Sequence, residues 1–352
     1  MKLRPIENKV CMLSRQSSSI PLDFLLLEKE IHRIDGDIKV KYVCELLDTK
    51  HANPIKLLIN TIKCMNALST SKACVVDSYN ITVSILRHRK ELKIAQIWHA
   101  LGAVKKFGYQ SLDSKEGRSS SFAAMLSMHK NYSFVTCAGS ATKEIYKKAF
   151  QIKAEDILVI GMPRLDYIVQ NGQEKKVAKE TIYKKYLQLK NKINILYAPT
   201  FRENKAIDFE PIIKTLDFTK YNLIIKSHTL SKDKPYKSYE NIVFASDSVF
   251  DLFTVADYVI TDYSAVSFEA VAADRKLFFY VYDIEQYEQN RGLNINPLIE
   301  YPKISSKHFN DIYSIIESGK YPINEAEKFK NKYVETGDGK CCERIVNALL
   351  CK

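Results

Sequence analysis

The sequence predicts an α/β protein made of two doubly wound halves that face each other across a cleft. Two observations carry that expectation. Short apolar runs recur along the whole chain, separated by helix-length segments, which is the pattern of β-α-β units. At 352 residues the chain is also long for one small domain and comfortable for two of average size.

The elements follow in order. Lys9–Ser14 (KVCMLS) reads as a first strand and RQSSS as the loop after it. PLDFLLLEKEIHR reads as a helix with Pro21 in its first turn, where a missing N–H is tolerated. Lys39–Cys44 alternates as a strand. Pro54–Leu68 has apolar residues at helical spacing with Lys56 and Lys63 on the other side, the pattern of a core-facing helix. Ala73–Asp77, Ile94–Trp98, Phe134–Ala138 and Ile157–Ile160 read as further strands. The polar, lysine-rich stretch Val169–Asn191 reads as the junction, which sets the domains at 1–185 and 186–352. Ile193–Ala198, Asn222–Lys226, Ile242–Phe244, Tyr258–Thr261 and Leu277–Tyr282 then repeat the alternation.

Composition narrows the class. Hydrophobic residues make up 46% and charged residues 27%, which excludes a disordered or fibrous chain. No apolar run approaches the roughly 18 residues of a spanning helix, and MKLRPIENKV lacks the apolar core of a signal peptide. A cytoplasmic location is expected. The eight cysteines include no C-x-x-C pair and read as reduced thiols. The net charge of +12 favours anionic partners, but the lysines are scattered and do not choose among nucleotides, nucleic acid and an acidic membrane face.

Open α/β sheets bind ligands beyond the carboxyl ends of their strands. Four polar clusters stand at such ends. His99 follows IAQIW in WHALGAVKKFG, where Gly102 and its small neighbours allow close backbone approach and Lys105 and Lys106 add charge. His228 follows NLIIK, next to Lys226. Each histidine has a structural reading beside a catalytic one; together they suit proton transfer near neutral pH. Asp262–Glu269 follows YVIT, with Ser264 placed to cap a helix and Ser267 adding a hydroxyl, a setting that suits a phosphate or is an ordinary capped helix. Arg202 follows the strand in YAPTFR, as a phosphate fork or a surface arginine.

WHALGAVKKFG, GMPRLD, ILYAPTFRE, KSH, ITDYSAVSFEA and DGKCCERIV, in this order, resemble the CDP-glycerol glycerophosphotransferase family, which builds or primes teichoic acids and related capsule polymers. SRQSSSIPLDF also looks like family members, and the resemblance runs from about residue 9 to 350. It implies a GT-B-like pair of Rossmann-type domains, the C-terminal one holding the CDP-alditol and the N-terminal one the acceptor. His99 matches the family's W-H-[GA] histidine and His228 that of its [RK]-x-H segment, so both are implied to be catalytic. Arg202 and the helix start at Ser264 are implied to hold the donor's phosphates, with Thr261 and Asp262 lining the site. The chain departs from the family at WHALGAVK, where many members read WHGTPLK, and this leaves glycerol or ribitol open. Lys226 stands where many have arginine, and RGLNINP lacks the usual aromatic, which weakens any transfer onto Arg291 and Gly292. The chain reads as the bare catalytic module.

The expected reaction takes an alditol phosphate from CDP-glycerol or CDP-ribitol to a lipid-linked polymer acceptor. His99 is the candidate base, although the two histidines can exchange roles. No tightly bound cofactor is expected, and a loosely held Mg²⁺ is compatible with the chemistry. A basic face would hold the enzyme on the anionic inner leaflet, with segment 53–68 one candidate for it beside its reading as a core helix, and with no nucleic-acid partner. The competing readings are a nucleotide-sugar glycosyltransferase of the same architecture and, more remotely, a nucleic-acid binder; the latter lacks a reading motif.

Overall fold

The computed structural model describes residues 4–46, 53–115, 117–170, 172–200, 209–226 and 240–351. The apolar runs do form strands, and they assemble into two separate six-stranded sheets. The first holds β1 (Lys9–Ser14), β2 (Lys39–Cys44), β3 (Ala73–Val76), β4 (Lys93–Gln96), β5 (Phe134–Cys137) and β6 (Ile157–Val159), in the order β2-β1-β3-β4-β5-β6. The second holds β7 (Ile193–Tyr197), β8 (Tyr221–Lys226), β9 (Ile242–Ala245), β10 (Tyr258–Thr261), β11 (Lys276–Tyr280) and β12 (Ser305–Ser306), in the order β12-β11-β10-β7-β8-β9. Every pairing between these twelve strands is parallel. Parallel strands covered on both faces need continuous apolar runs, and the fully buried ACVV, FVTC and YVIT meet that need. Only β12, two half-buried serines, gave no signal in the sequence.

The chain folds into two compact units. One comprises Met1–Gly102, Phe107–Tyr167 and Tyr333–Lys352; the other comprises Ala103–Lys106 and Ile168–Lys332. The division therefore falls at 167/168 where the sequence suggested 185/186. The helix Gln173–Lys185 joins the second unit because it packs beside the helix Val249–Phe253, and Lys185 Nζ reaches Asp247 Oδ1 at 2.7 Å. The last residues return to the first unit. The helix Cys341–Leu350 lays Cys342, Ile345, Val346 and Leu349 against Phe24, Leu27 and Ile31 of the helix Leu22–Ile34. Asp166 fastens its start by accepting from the N–H groups of Cys341 and Cys342 at 2.8 and 2.7 Å.

The helix Pro54–Thr70 departs from the core-facing role its periodicity suggested. Asn53 caps it, accepting from Ile55 N–H at 2.9 Å, and Cys64, Ala67 and Leu68 pack inward from its second half. Its first half does not: Ile55 is 69% and Leu58 60% exposed, and Ile59 and Ile62 are exposed as well. Period alone says that an apolar stripe exists, not what covers it. Among the described residues no helix is long and apolar enough to cross a membrane.

Candidate active site

Each strand order reverses direction at one place, between β1 and β3 in the first sheet and between β7 and β10 in the second. Such switch points open a crevice at the carboxyl ends of the strands. Several of the polar clusters read from the sequence lie at or beside these two points.

In the second unit, the segment after β7 and the segment after β10 are tied together. Asp262 Oδ1 accepts from Thr200 N–H at 2.8 Å, from the Thr200 hydroxyl at 2.6 Å and from Tyr263 N–H at 2.6 Å. Thr261 Oγ1 donates to Ala198 O at 2.7 Å. Thr261 and Asp262 are fully buried, and these bonds fix the loop leading out of β7. Ser267 is buried, and its hydroxyl donates to Ser264 O at 2.9 Å. Ser264 is half-buried and its Oγ accepts from Val266 N–H at 3.3 Å, while Ala265 takes the cap position of the helix Val266–Ala272. Lys226 ends β8 half-buried, with Nζ 3.3 Å from Ser246 O, and desolvation lowers the pKa of its ammonium against the opposing pull of Asp247. Arg202 and His228 lie outside the described residues.

The sequence grouped Gly102, Lys105 and Lys106 with His99. Gly102 is buried in the first unit, whereas Ala103–Lys106 belongs to the second. There Lys106 N–H donates to Gly292 O at 3.0 Å, Asn294 N–H donates to Val104 O at 2.7 Å, and Asn294 Nδ2 donates to Lys105 O at 3.0 Å. Gly292 has φ of +80°, and a Cβ there would meet Lys106 Cδ at 2.8 Å. Gly292, whose reading the missing aromatic had weakened, thus holds, together with Asn294, the segment that follows the WHALG motif.

In the first unit His99 follows β4 and is half-buried. Its Nδ1 lies 2.9 Å from the backbone carbonyl of Asp77, which follows β3. A carbonyl only accepts, so the neutral ring carries its proton on Nδ1 and its lone pair on Nε2. Trp98 sets the ring's direction. It holds φ of +57°, a conformation that costs a bulky residue about 1–3 kcal/mol. Trp98 lies 4.7 Å from Phe107 in a stacked pair, meets Phe150 edge-on at 5.2 Å and sits 4.1 Å from the His99 ring. Its N–H donates to Gln96 Oε1 at 2.8 Å, and Gln96 Nε2 donates to Ser78 O at 3.2 Å. Burial pushes the Asp77 carboxyl up to about 6, with Ser14 and Ser78 pulling the other way. Arg15, Tyr79 and Arg118 also stand at this edge and were not singled out in the sequence; an arginine after a strand has no pattern that separates it from a surface one. Among the described residues no group of three His, Cys, Asp or Glu side chains is placed to hold a metal.

A family model described as CDP-glycerol:poly(glycerophosphate) glycerophosphotransferase matches residues 2–351. The chain is 27% identical to the teichoic acid ribitol-phosphate primase of Bacillus spizizenii over 98% of its length and 92% of that protein's. It is 31% identical to the teichoic acid glycerol-phosphate primase of Bacillus subtilis over 84% of its length and 76% of that protein's. The fold is similar to that of the wall teichoic acid polymerase TagF, in a form with one histidine replaced by asparagine and soaked with CDPG. That match has a TM-score of 0.78 at 20% identity and covers 97% of this chain and 88% of the other.

Proposed function

The chain belongs to the CDP-glycerol:poly(glycerophosphate) glycerophosphotransferase family, and on that premise we propose that it transfers glycerol phosphate or ribitol phosphate from the CDP-alditol to a hydroxyl of a lipid-linked teichoic acid or related polymer. The acceptor oxygen attacks the β-phosphorus. One P–O bond forms, the P–O bond to the CMP phosphate breaks, CMP leaves, and the hydroxyl proton passes to a base. That base is His99. The observation that carries the assignment is the anchoring of Nδ1 on Asp77 O, which leaves the lone pair of Nε2 to take the proton.

The second unit supplies the donor site. In sequence, Arg202 follows the loop fastened by Asp262 and Thr261 and His228 follows β8, while Ser264 follows β10, the strand beside β7. These groups hold the diphosphate and balance the charge that builds on it, the positioning and electrostatic work that dominates phosphoryl transfer. No step calls on a resident cofactor; Mg²⁺ would enter with the donor's diphosphate.

The exposed stripe Ile55, Leu58, Ile59 and Ile62, with exposed Lys56 and Lys63 beside it, supports docking on the anionic cytoplasmic leaflet, where a lipid-linked acceptor resides. The basic surface serves phosphates and lipid in this reading, and oligonucleotides are not ligands. The test of function is CMP release from CDP-glycerol and from CDP-ribitol in separate incubations with a lipid-linked acceptor. Acceptor-dependent release from one of them is expected. Release from neither, with turnover of a UDP- or GDP-sugar, would replace this reading with a glycosyltransferase.

A further inference from the structure

We infer that Arg15 and Arg118, both beside Tyr79 at the switch point of the first sheet, form a phosphate-binding subsite that grips the acceptor polymer next to its attacking hydroxyl. The placement comes from the strand order. Arg15 is the residue directly after β1, and Tyr79 lies in the turn after β3; these two strand ends flank the reversal. Arg118 comes from the segment before the short helix Ser120–Met125, where its carbonyl accepts from Asp113 N–H at 2.9 Å. The two guanidinium carbons lie 6.0 and 5.9 Å from the Tyr79 ring centroid, and Tyr79 is itself tied by its hydroxyl to Leu126 O at 3.0 Å.

Two guanidinium groups within 6.0 Å of one ring centroid make a local positive field that favours an anion. Arg15 carries the argument. It is half-buried, its Nε is buried with no hydrogen-bond partner, and its side chain's polar contact is Nη1 to Tyr79 O at 3.3 Å. Among the described residues it makes no ion pair. A guanidinium left in this state offers its fork to a ligand, and phosphate fits that fork through two parallel hydrogen bonds. Burial, followed by the neighbouring Arg118, lowers the pKa of Arg15, which agrees with two cations crowded together. The loop that follows adds hydroxyls: Ser17 and Ser19 pair at 2.8 Å on an exposed turn. His99 belongs to the same edge, anchored two residues before Tyr79 on Asp77 O. An alditol-phosphate polymer carries a phosphate adjacent to each terminal alditol, so a subsite here would set its terminal hydroxyl within reach of the base.

This inference rests on the transfer reaction proposed above, and its test separates the two. Full-length wild type, Arg15→Gln, Arg118→Gln and Arg15→Lys are compared by calorimetry for binding of glycerol phosphate and, separately, of CDP. Steady-state KM is then measured for the acceptor and for the CDP-alditol. The glutamine variants are expected to weaken glycerol phosphate binding and raise the acceptor KM at least tenfold, with CDP affinity and melting temperature unchanged. Arg15→Lys, which keeps the charge and loses the fork, should fall between. Unchanged glycerol phosphate binding and acceptor KM in both glutamine variants would overturn the inference, as would an equal loss of CDP affinity. If wild type turns over no CDP-alditol, the transfer reading fails, while the calorimetry still decides whether the arginines bind a phosphate. Equal weakening by the variants for an acceptor that lacks the adjacent phosphate would also overturn it.

Discussion

Removing the Asp262 carboxylate tests how the donor half is built. The buried group accepts three hydrogen bonds at 2.6–2.8 Å, two of them from Thr200 across the switch point. Bonds to a charged acceptor are worth about 1.5–3 kcal/mol each. Because the three share one oxygen and water can enter part of the space, we expect Asp262→Ala to lose about 3–5 kcal/mol in total. Asp262→Asn keeps an acceptor oxygen and the shape, and should lose roughly a third of that. Urea denaturation gives both values, and CDP titration of the folded variants gives the functional half. The alanine variant should bind CDP at least tenfold more weakly, because the loop out of β7 is no longer fixed. A stability loss below about 1 kcal/mol, together with unchanged CDP binding, would refute the fastening role.

Two further outcomes follow from the structure. Burial, helped by Arg118, pushes His129 down to about 3, and its Nδ1 lies 3.0 Å from the Tyr132 hydroxyl. The unfolded chain then binds a proton near 6.5 that the folded chain refuses, so stability is full above that pH and falls as pH drops toward 3; between pH 7 and 5 the loss is about 2 kcal/mol. His129→Asn should remove that slope in denaturation curves at the two pH values, and an unchanged slope would mean that His129 is not the group responsible. Replacing Ile55, Leu58, Ile59 and Ile62 with serine should leave stability within about 1 kcal/mol, since these side chains are exposed. It should also cut co-sedimentation with phosphatidylglycerol vesicles at least tenfold, given about 1.5–3 kcal/mol for each such side chain fully buried; undiminished binding would remove this helix from the docking face.

The strands were legible in the sequence, with ends correct to within two residues, because parallel strands covered on both faces cannot avoid apolar runs. KVCMLS and YVIT are cases in point. What could not be read is what depends on strand order. That Thr200 meets Asp262, or that Arg15 stands near Tyr79, requires knowing that β7 lies beside β10 and β1 beside β3. Residue type at a strand end is also blind to direction. Thr261 and Asp262 are polar whether they face a ligand or fasten a loop, and only the folded chain shows their bonds to Ala198 and Thr200. The anchor of His99 was invisible for a different reason: it is a backbone carbonyl, which every residue carries. For the apolar helix Pro54–Thr70 the sequence offered both a core and a surface reading, and period alone could not choose; half of its stripe meets no core.

The role of His99 is the point at which sequence, fold and chemistry meet, and its replacement is the most direct measurement. CMP release from the preferred CDP-alditol is followed for wild type and His99→Ala at equal protein, with CDP affinity and urea denaturation measured on the same samples. Loss of a general base should lower kcat by about 10²–10⁴-fold, with CDP affinity within threefold and folding intact. Turnover within a few-fold of wild type would contradict His99 as the base, and the proton would then have to leave by another group.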